Sequence, residues 1–415
     1  MKDIIIIVNA RFIPQERNST YIYGVVQHVL RCADVLKQGG VNVGFLLYKR
    51  DEDLAEPLLE PGTVVQTFPA MTLHFHFGME PNAVKAVFRS AIHHITESWG
   101  QGATRDPLLY YQTSALLPYA PTDHLIAITH HSPFVEQVAR SIGTEAAWKA
   151  FNWDHPKAEH LLRTQNQALE IIASRDNIHC LEISILQQQF LREYGIAERQ
   201  IHRIPQPVGS DESEPEPLPP LLASALQDRA ARSGLVAVTV VSRFDYFKNI
   251  ELYIDGCCLA LQNRALQQVL VIGGFADDEI RTQLQSRIPA ELASAFLFIP
   301  RMERGVLTGA LFPELANQAV FACTSRFDLV PYTALEAARA GLCTIVPDHG
   351  RVGAAEYIPD HYQFSDSPAG LATLLTKLAS HPGYLEQFQQ TAAKIRQATS
   401  DEAFFDSFVE ICSRI

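Results

Sequence analysis

No stretch of this chain is apolar for long enough to cross a bilayer. Its longest apolar runs, at residues 4–8, 235–241 and 269–272, are strand-sized, against the roughly 18 residues that a spanning helix needs. Charge is scarce too, at 19% of residues, where about 25% is usual in soluble domains. What charge there is leans acidic, with 46 Asp and Glu against 34 Lys and Arg, a net charge of -12. That balance excludes bulk nucleic-acid binding, which needs clustered cations to displace counterions from phosphates. An anionic small molecule stays admissible, because a few local cations suffice for it. Paired cysteines are missing as well. Cys32, Cys180, Cys257, Cys258, Cys323, Cys343 and Cys412 are scattered without a CxxC spacing, which argues against a disulfide frame or zinc site and for reduced, mostly buried thiols in a cytoplasmic protein. The opening MKDIIIIVNA has too short an apolar stretch for a secretory signal. Neither a GxxxxGKS/T nor a GxGxxG motif occurs, which weighs against ATPase and nicotinamide chemistry.

What is present is an α/β rhythm. At 415 residues, 47% of them hydrophobic, the chain has material for two or three domains with sizeable cores. Residues 4–8 form a continuous apolar run, as expected of a parallel strand covered on both faces. Val25, Val29, Cys32, Ala33 and Leu36 then follow at helical spacing, Gly39-Gly40 ends that helix, and residues 41–48 give the next strand. Such a β-α-β opening takes a right-handed parallel crossover by default. Further strands are expected at 108–111, 125–129 and 179–183. Residues 206–220, QPVGSDESEPEPLPP, are rich in Pro and acid and read as a linker. After it come strands at 235–241, 269–272, 297–299, 320–323 and 343–346. The expected organisation is a Rossmann-like domain over 1–205, a linker over 206–233, a second Rossmann-like domain over 234–395, and a terminal helix over 396–415 packing back on the first domain. Residues 1–205 hold 18 basic and 21 acidic residues and the remainder 16 and 25, so neither half looks like a basic membrane-docking surface. Doubly wound sheets bind ligands at the carboxyl ends of their strands, which makes the cleft between two such domains the default site.

Two segments carry chemistry. In Ser242-Arg243-Phe244-Asp245-Tyr246-Phe247-Lys248-Asn249 two cations sit in the loop after a buried strand, placed to converge on an anion, Arg as a fork and Lys as a point charge. As a bland alternative they are surface cations. In the segment from Ser325 to Ala338, Pro331 can start a helix, so that the amides of Tyr332 and Thr333 offer a phosphate site. Asp328 lies just ahead of that helix and Glu336 about one and a half turns inside it. The two carboxylates can reach different parts of one extended ligand, or serve as a cap and a solvated helix residue.

Together the segments resemble the retaining glycosyltransferases of family 4 (glycosyl transferases group 1), which have the GT-B fold of two Rossmann-like domains facing each other across a cleft. The family's E-x7-E element, often E-x-F-P-x-x-x-L-E-A, is matched from Asp328 to Ala337, with Asp328 for the first Glu and Val330 for the Phe. Leu270-Val271-Ile272-Gly273-Gly274 resembles its strand with a glycine turn, and Gly341-Leu342-Cys343-Thr344-Ile345-Val346-Pro347 its G-x-P-V-V strand. In the first domain, Tyr23-Gly24-Val25-Val26-Gln27-His28-Val29 resembles the G-G-V-x-x-H-V helix opening, with Tyr23 for the first Gly. Ala127-Ile128-Thr129-His130 matches a strand ending in an active-site His, and Ile204-Pro205-Gln206-Pro207-Val208 the I-P-N-G-V entry to the linker. The resemblance runs through nearly the whole chain and is weakest at residues 50–100.

It implies transfer of a sugar, with retention of configuration, from a nucleotide diphosphate donor (UDP- or GDP-sugar) to a glycan or small-molecule acceptor. No metal and no cofactor beyond the nucleotide-sugar co-substrate is implied. Arg243 and Lys248 would neutralise the leaving diphosphate, His130 would sit near the reacting centre, and Gly24, Tyr332 and Thr333 would bind phosphate. Asp328 would meet the donor sugar and Glu336 the donor ribose. The loop Pro14-Gln15-Glu16-Arg17-Asn18-Ser19-Thr20 would overhang the acceptor site, and peripheral contact with a membrane through an apolar patch stays open. Rival readings are a nucleotide-sugar epimerase or phosphorylase on the same scaffold, and a sugar-nucleotide-binding pseudoenzyme. His74 and His76 would share one strand face, a conceivable metal pair, but no third ligand follows from spacing and they read as a solvated or packed pair, as do His93-His94 and His131. Asp51-Glu52-Asp53 mimics the acidic triplet of metal-dependent glycosyltransferases of the other main fold, but Lys49-Arg50 before it and the two-domain pattern favour an exposed charge run.

Overall fold

The computed structural model describes residues 2–10, 24–50, 68–75, 81–100, 106–151, 155–209, 217–220, 222–224, 226, 234–241, 246–274 and 278–415. They group into two compact units. The first comprises Met1–Arg140, Asp154–Pro207 and Thr399–Ile415, and the second Ser141–Trp153 and Val208–Ala398.

The first unit is built on β1 (Ile4–Asn9), β2 (Val43–Arg50), β3 (Ala70–Phe75), β4 (Leu108–Tyr111), β5 (Ile126–Ile128), β6 (Ile178–Glu182) and β7 (Ile201–Arg203). Their order is β3-β2-β1-β4-β5-β6-β7 and every pairing is parallel. All six residues of β1 are buried, which is why its sequence is a continuous apolar run rather than an alternating one. Strand order reverses beside β1, the switch point at which doubly wound sheets leave a crevice. The helix Gly24–Gln38 buries Val26, Val29, Cys32, Ala33 and Leu36. It stops where Gly40 turns left-handed at φ 82°. Gly39 is fixed by a close approach, since a Cβ there would lie 2.1 Å from the Phe405 ring. That ring belongs to the helix Asp401–Arg414, which also buries Phe404 and Phe408 and ion-pairs Asp401 Oδ1 with Arg31 Nε at 2.9 Å.

The second unit repeats the plan with β8 (Leu235–Val241), β9 (Leu266–Gly273), β10 (Phe296–Pro300), β11 (Ala319–Ala322), β12 (Cys343–Pro347) and β13 (Gln363–Phe364). The order is β10-β9-β8-β11-β12-β13, again parallel throughout. Two features differ from the sequence reading. Residues 141–153 fall in the second unit, where Phe151 sets its ring edge-on against Phe247 at 5.4 Å. Within the expected linker, Leu222 and Leu226 are buried in the second unit's core beside Val208. Their spacing of four residues is the helical repeat that the surrounding prolines and acids obscured. All seven cysteines are free, six of them buried.

The first unit also buries neutral imidazoles. His28 is fully buried, with Nδ1 3.2 Å from Gln206 Oε1 and Nε2 3.3 Å from the Tyr110 hydroxyl. Those contacts tie together the first-domain helix and the entry to the linker. Its ring lies 4.7 Å from that of His131, which is itself bonded to Gln112 at 2.7 Å. Burial lowers the pKa of His28 from 6.5 to about 3, against a smaller upward effect of Gln206. Burial likewise holds His131 well below its ordinary value, helped by the two neighbouring histidines. Between pH 6.5 and about 3 the unfolded chain therefore binds protons that the folded chain refuses, so stability falls as pH falls. One such group removes about 1.4 kcal/mol per pH unit, or about 2 kcal/mol from His28 by pH 5. Urea denaturation at pH 7.5 and pH 5 is expected to show this loss, and His28→Gln to reduce it.

Candidate active site

The second unit gathers its polar groups at the carboxyl ends of β8 and β11. After β8, Tyr246-Phe247-Lys248 make a turn, and Asn249 adopts a left-handed conformation at φ 49° to open the helix Ile250–Gln262. Asn tolerates this region better than most side chains. The loop after β11 is laced to that turn. Arg326 N donates to Phe247 O at 2.8 Å, Thr324 Oγ1 donates to Lys248 O at 3.0 Å, and the Arg326 guanidinium lies over the Tyr246 ring at 4.4 Å. The turn that carries Lys248 is thus tied to the loop after β11 through Tyr246, Phe247 and Lys248 alike.

Lys248 Nζ donates to Asp328 Oδ2 at 2.5 Å. Asp328 is itself pinned by its main chain, its N–H donating to Arg351 O at 3.0 Å and its carbonyl accepting from Gly353 N at 2.8 Å. Its side chain is 14% exposed and that of Lys248 24%, so the pair is partly screened by water. The helix Tyr332–Arg339 starts after Pro331, which as N-cap offers no side-chain hydrogen bond, and its first turn holds no acidic residue. No carboxylate within the helix's own first turn offsets its positive end. Lys248, Thr324, Ser325, Tyr332 and Thr333 line one pocket with Thr239. This is a cation, the hydroxyl residues Thr239, Thr324 and Ser325 and a helix N-terminus on a single opening, a set of groups suited to phosphate.

Glu336 sits inside the same helix and is buried, not solvated. Its Oε1 pairs with Nε of Arg304, whose Nη2 reaches Gly209 O at 3.2 Å and whose guanidinium lies 5.7 Å from the Tyr332 ring. The sequence reading missed Arg304. The signal was its position shortly after β10, at a strand's carboxyl end, where Lys248 also stands.

The structure brings Lys248, Asp328, Tyr332, Thr333 and Glu336 to one edge of the second sheet. Arg243, Asp51-Glu52-Asp53, His76 and residues 14–20 lie outside the described residues, as does the side chain of His74. In the first unit Gly24 opens the helix Gly24–Gln38, and His130 follows β5, buried, with Nδ1 2.6 Å from Glu182 Oε1. His93 pairs with Glu97 at 3.0 Å on an exposed helix face.

No protein-family model matches the chain. Mannosylfructose-phosphate synthase of Agrobacterium fabrum (strain C58) is 27% identical over 178 residues, 42% of this chain and 38% of that protein. The match thus spans well under half of the curated relative's length. Sucrose-phosphate synthase from Thermosynechococcus elongatus superposes over 100% of this chain and 99% of its own, with a TM-score of 0.69 and 16% identity. The fold is GT-B. HepE of Anabaena, solved with UDP and glucose, covers 100% of both chains with a TM-score of 0.66 and 12% identity. No helix among the described residues is long and apolar enough to cross a membrane.

The two ion pairs of the site differ in burial and therefore in what their loss does. Arg304→Ala removes the guanidinium paired with the Glu336 side chain, which is 5% exposed, at about 3 kcal/mol. Lys248→Ala breaks a half-screened pair at about 1 kcal/mol or less. Denaturant midpoints of the two variants are expected to fall in that order.

Proposed function

We propose that the chain is a retaining glycosyltransferase of the family-4 kind, acting in the cytoplasm without a metal and moving a sugar from a UDP- or GDP-sugar to a glycan or small-molecule acceptor. The observation that carries this reading is the joining of Lys248, Thr324, Ser325 and the helix N-terminus at Tyr332-Thr333 in one pocket. Such a set matches a diphosphate, with Lys248 neutralising charge as the bond to the sugar breaks. Preorganised contacts of this kind contribute about 3–4 kcal/mol each to the rate. The leaving phosphate, on the same face as the acceptor, assists loss of the acceptor's proton, and no residue is assigned as a covalent nucleophile.

Asp328 lies against Lys248, so a donor phosphate binding that cation would compete with the carboxylate, which would then be placed to meet sugar hydroxyls. Glu336, held by Arg304, is the ligand for the ribose. Arg243 belongs to the same expected set. Mannosylfructose-phosphate synthase and sucrose-phosphate synthase bear names of sugar-phosphate products, which puts hexose phosphates first among acceptors to try.

Calorimetry with UDP and GDP, followed by release assays with the matching sugars and a hexose-phosphate panel, tests the reading. Lys248→Ala is expected to weaken nucleotide binding at least tenfold and to lower turnover about a hundredfold or more, with a smaller loss in binding for Glu336→Ala. Full activity in both variants would refute the site assignment.

A further inference from the structure

The first unit contains a buried carboxylate and imidazole that chain register forces together. In the β5–β6 ladder Ile126 faces Ile178, Ala127 faces His179 and Ile128 faces Cys180. Two residues further on, the same register sets His130 beside Glu182. Paired residues of parallel strands point to one face, and a step of two preserves that face. Both residues therefore stand at the carboxyl end of the sheet, where open α/β sheets carry their ligand sites. Nδ1 of His130 and Oε1 of Glu182 are 2.6 Å apart, with the side chains 4% and 0% exposed.

As a device for stability the pair is poorly made. Glu182 Oε2 and His130 Nε2 are buried and, among the described residues, have no hydrogen-bond partner. Desolvating a carboxylate with one of its oxygens unsatisfied is unfavourable, and an apolar pair of the same volume is often as stable or more so. The geometry does favour one arrangement. A carboxylate at Oε1 can only accept from Nδ1–H, and in the neutral ring that tautomer leaves the lone pair on Nε2. Phe134, its ring 4.9 Å from that of His130 and stacked in turn on Phe190, limits rotation of the imidazole. Cys180 Sγ lies within 4.8 Å of both ligand atoms, which makes a metal site the competing interpretation. The direct 2.6 Å contact opposes it, because that contact already occupies the nitrogen nearest the carboxylate.

We propose that Glu182 is a positioning residue: it holds His130 as the Nδ1–H tautomer and so makes Nε2 an acceptor for a hydroxyl of the transferred sugar or its acceptor. This rests on the glycosyltransferase reading, while its tautomer component does not. Full-length protein with nitrogen-15 histidine, assigned by comparison with His130→Gln, is expected to show a protonated Nδ1 and an unprotonated Nε2 at position 130. Glu182→Gln, whose amide can donate to Nδ1, is expected to shift the ring toward the Nε2–H form. It should also lower kcat/KM by about ten- to a hundredfold, with part of the loss recovered by Glu182→Asp. In a His130→Gln background the Glu182→Gln change is expected to add less than about twofold, because it acts through the imidazole. Wild-type protein with Nε2–H at His130, or folded Glu182→Gln with undiminished turnover, would overturn the proposal. So would stoichiometric zinc in the purified protein that is lost in Cys180→Ser. Wild-type protein that neither binds nor turns over any nucleotide sugar would instead refute the glycosyltransferase reading, leaving the tautomer to be judged by the spectrum alone.

Discussion

In an all-parallel sheet every strand ends on the same edge, and the chemistry of this protein depends on that constraint. Loops that are far apart in sequence, after β8, β10, β11 and β12, are delivered to one side of the second unit without any of them having to travel. Lys248 and Asp328 are 80 positions apart and Arg304 and Glu336 are 32 apart, yet each pair closes over a hydrogen-bonding distance. The same constraint in the first unit places His130 and Glu182, 52 positions apart, side by side at the ends of β5 and β6.

Each carboxylate in these sites has its own base. Asp328 has Lys248, Glu336 has Arg304 and Glu182 has His130. The three pairs form a series in burial, and their physics changes along it. At the wet end a salt bridge contributes little and is easily exchanged for another anion. At the dry end neither member can be removed without stranding the other. A site that must release one ligand and hold another steady needs both kinds. On the proposed reading, the more exposed pair stands where a phosphate would come and go, and the most buried pair where a neutral hydroxyl would be oriented.

Much of this was legible in the sequence and some of it could not be. The buried strands announced themselves, because two-sided burial writes a continuous apolar run: residues 108–111 and 235–241 were read with the bounds they have. The edge strands did not. β3 is Ala70–Phe75 with a polar Thr and His among its six residues, and β7 and β13 are three and two residues long, too mixed or too short to leave a periodic trace. The loops that carry chemistry were found from the residue types after each strand. Which charged group meets which was not, because pairing is set by three-dimensional register. By spacing alone Glu336 fits a ligand or a solvated helix residue equally well, and only the fold sets Arg304 against it. Arg304 itself begins a helix that passes through a π-helical stretch at Leu307–Leu311, and that irregularity breaks the spacing from which its orientation would be inferred.

The helix Asp401–Arg414 has a consequence for how the molecule is made. It completes the first unit, with Phe404 and Phe408 fully buried and Phe405 against Gly39, yet it follows the whole of Val208–Ala398 in the chain. At ordinary rates of translation the ribosome needs on the order of ten to forty seconds to traverse that intervening stretch. The order of synthesis thus delays burial of Phe404 and Phe408, and of the first-unit surface they cover, until after residues 208–398 have been made.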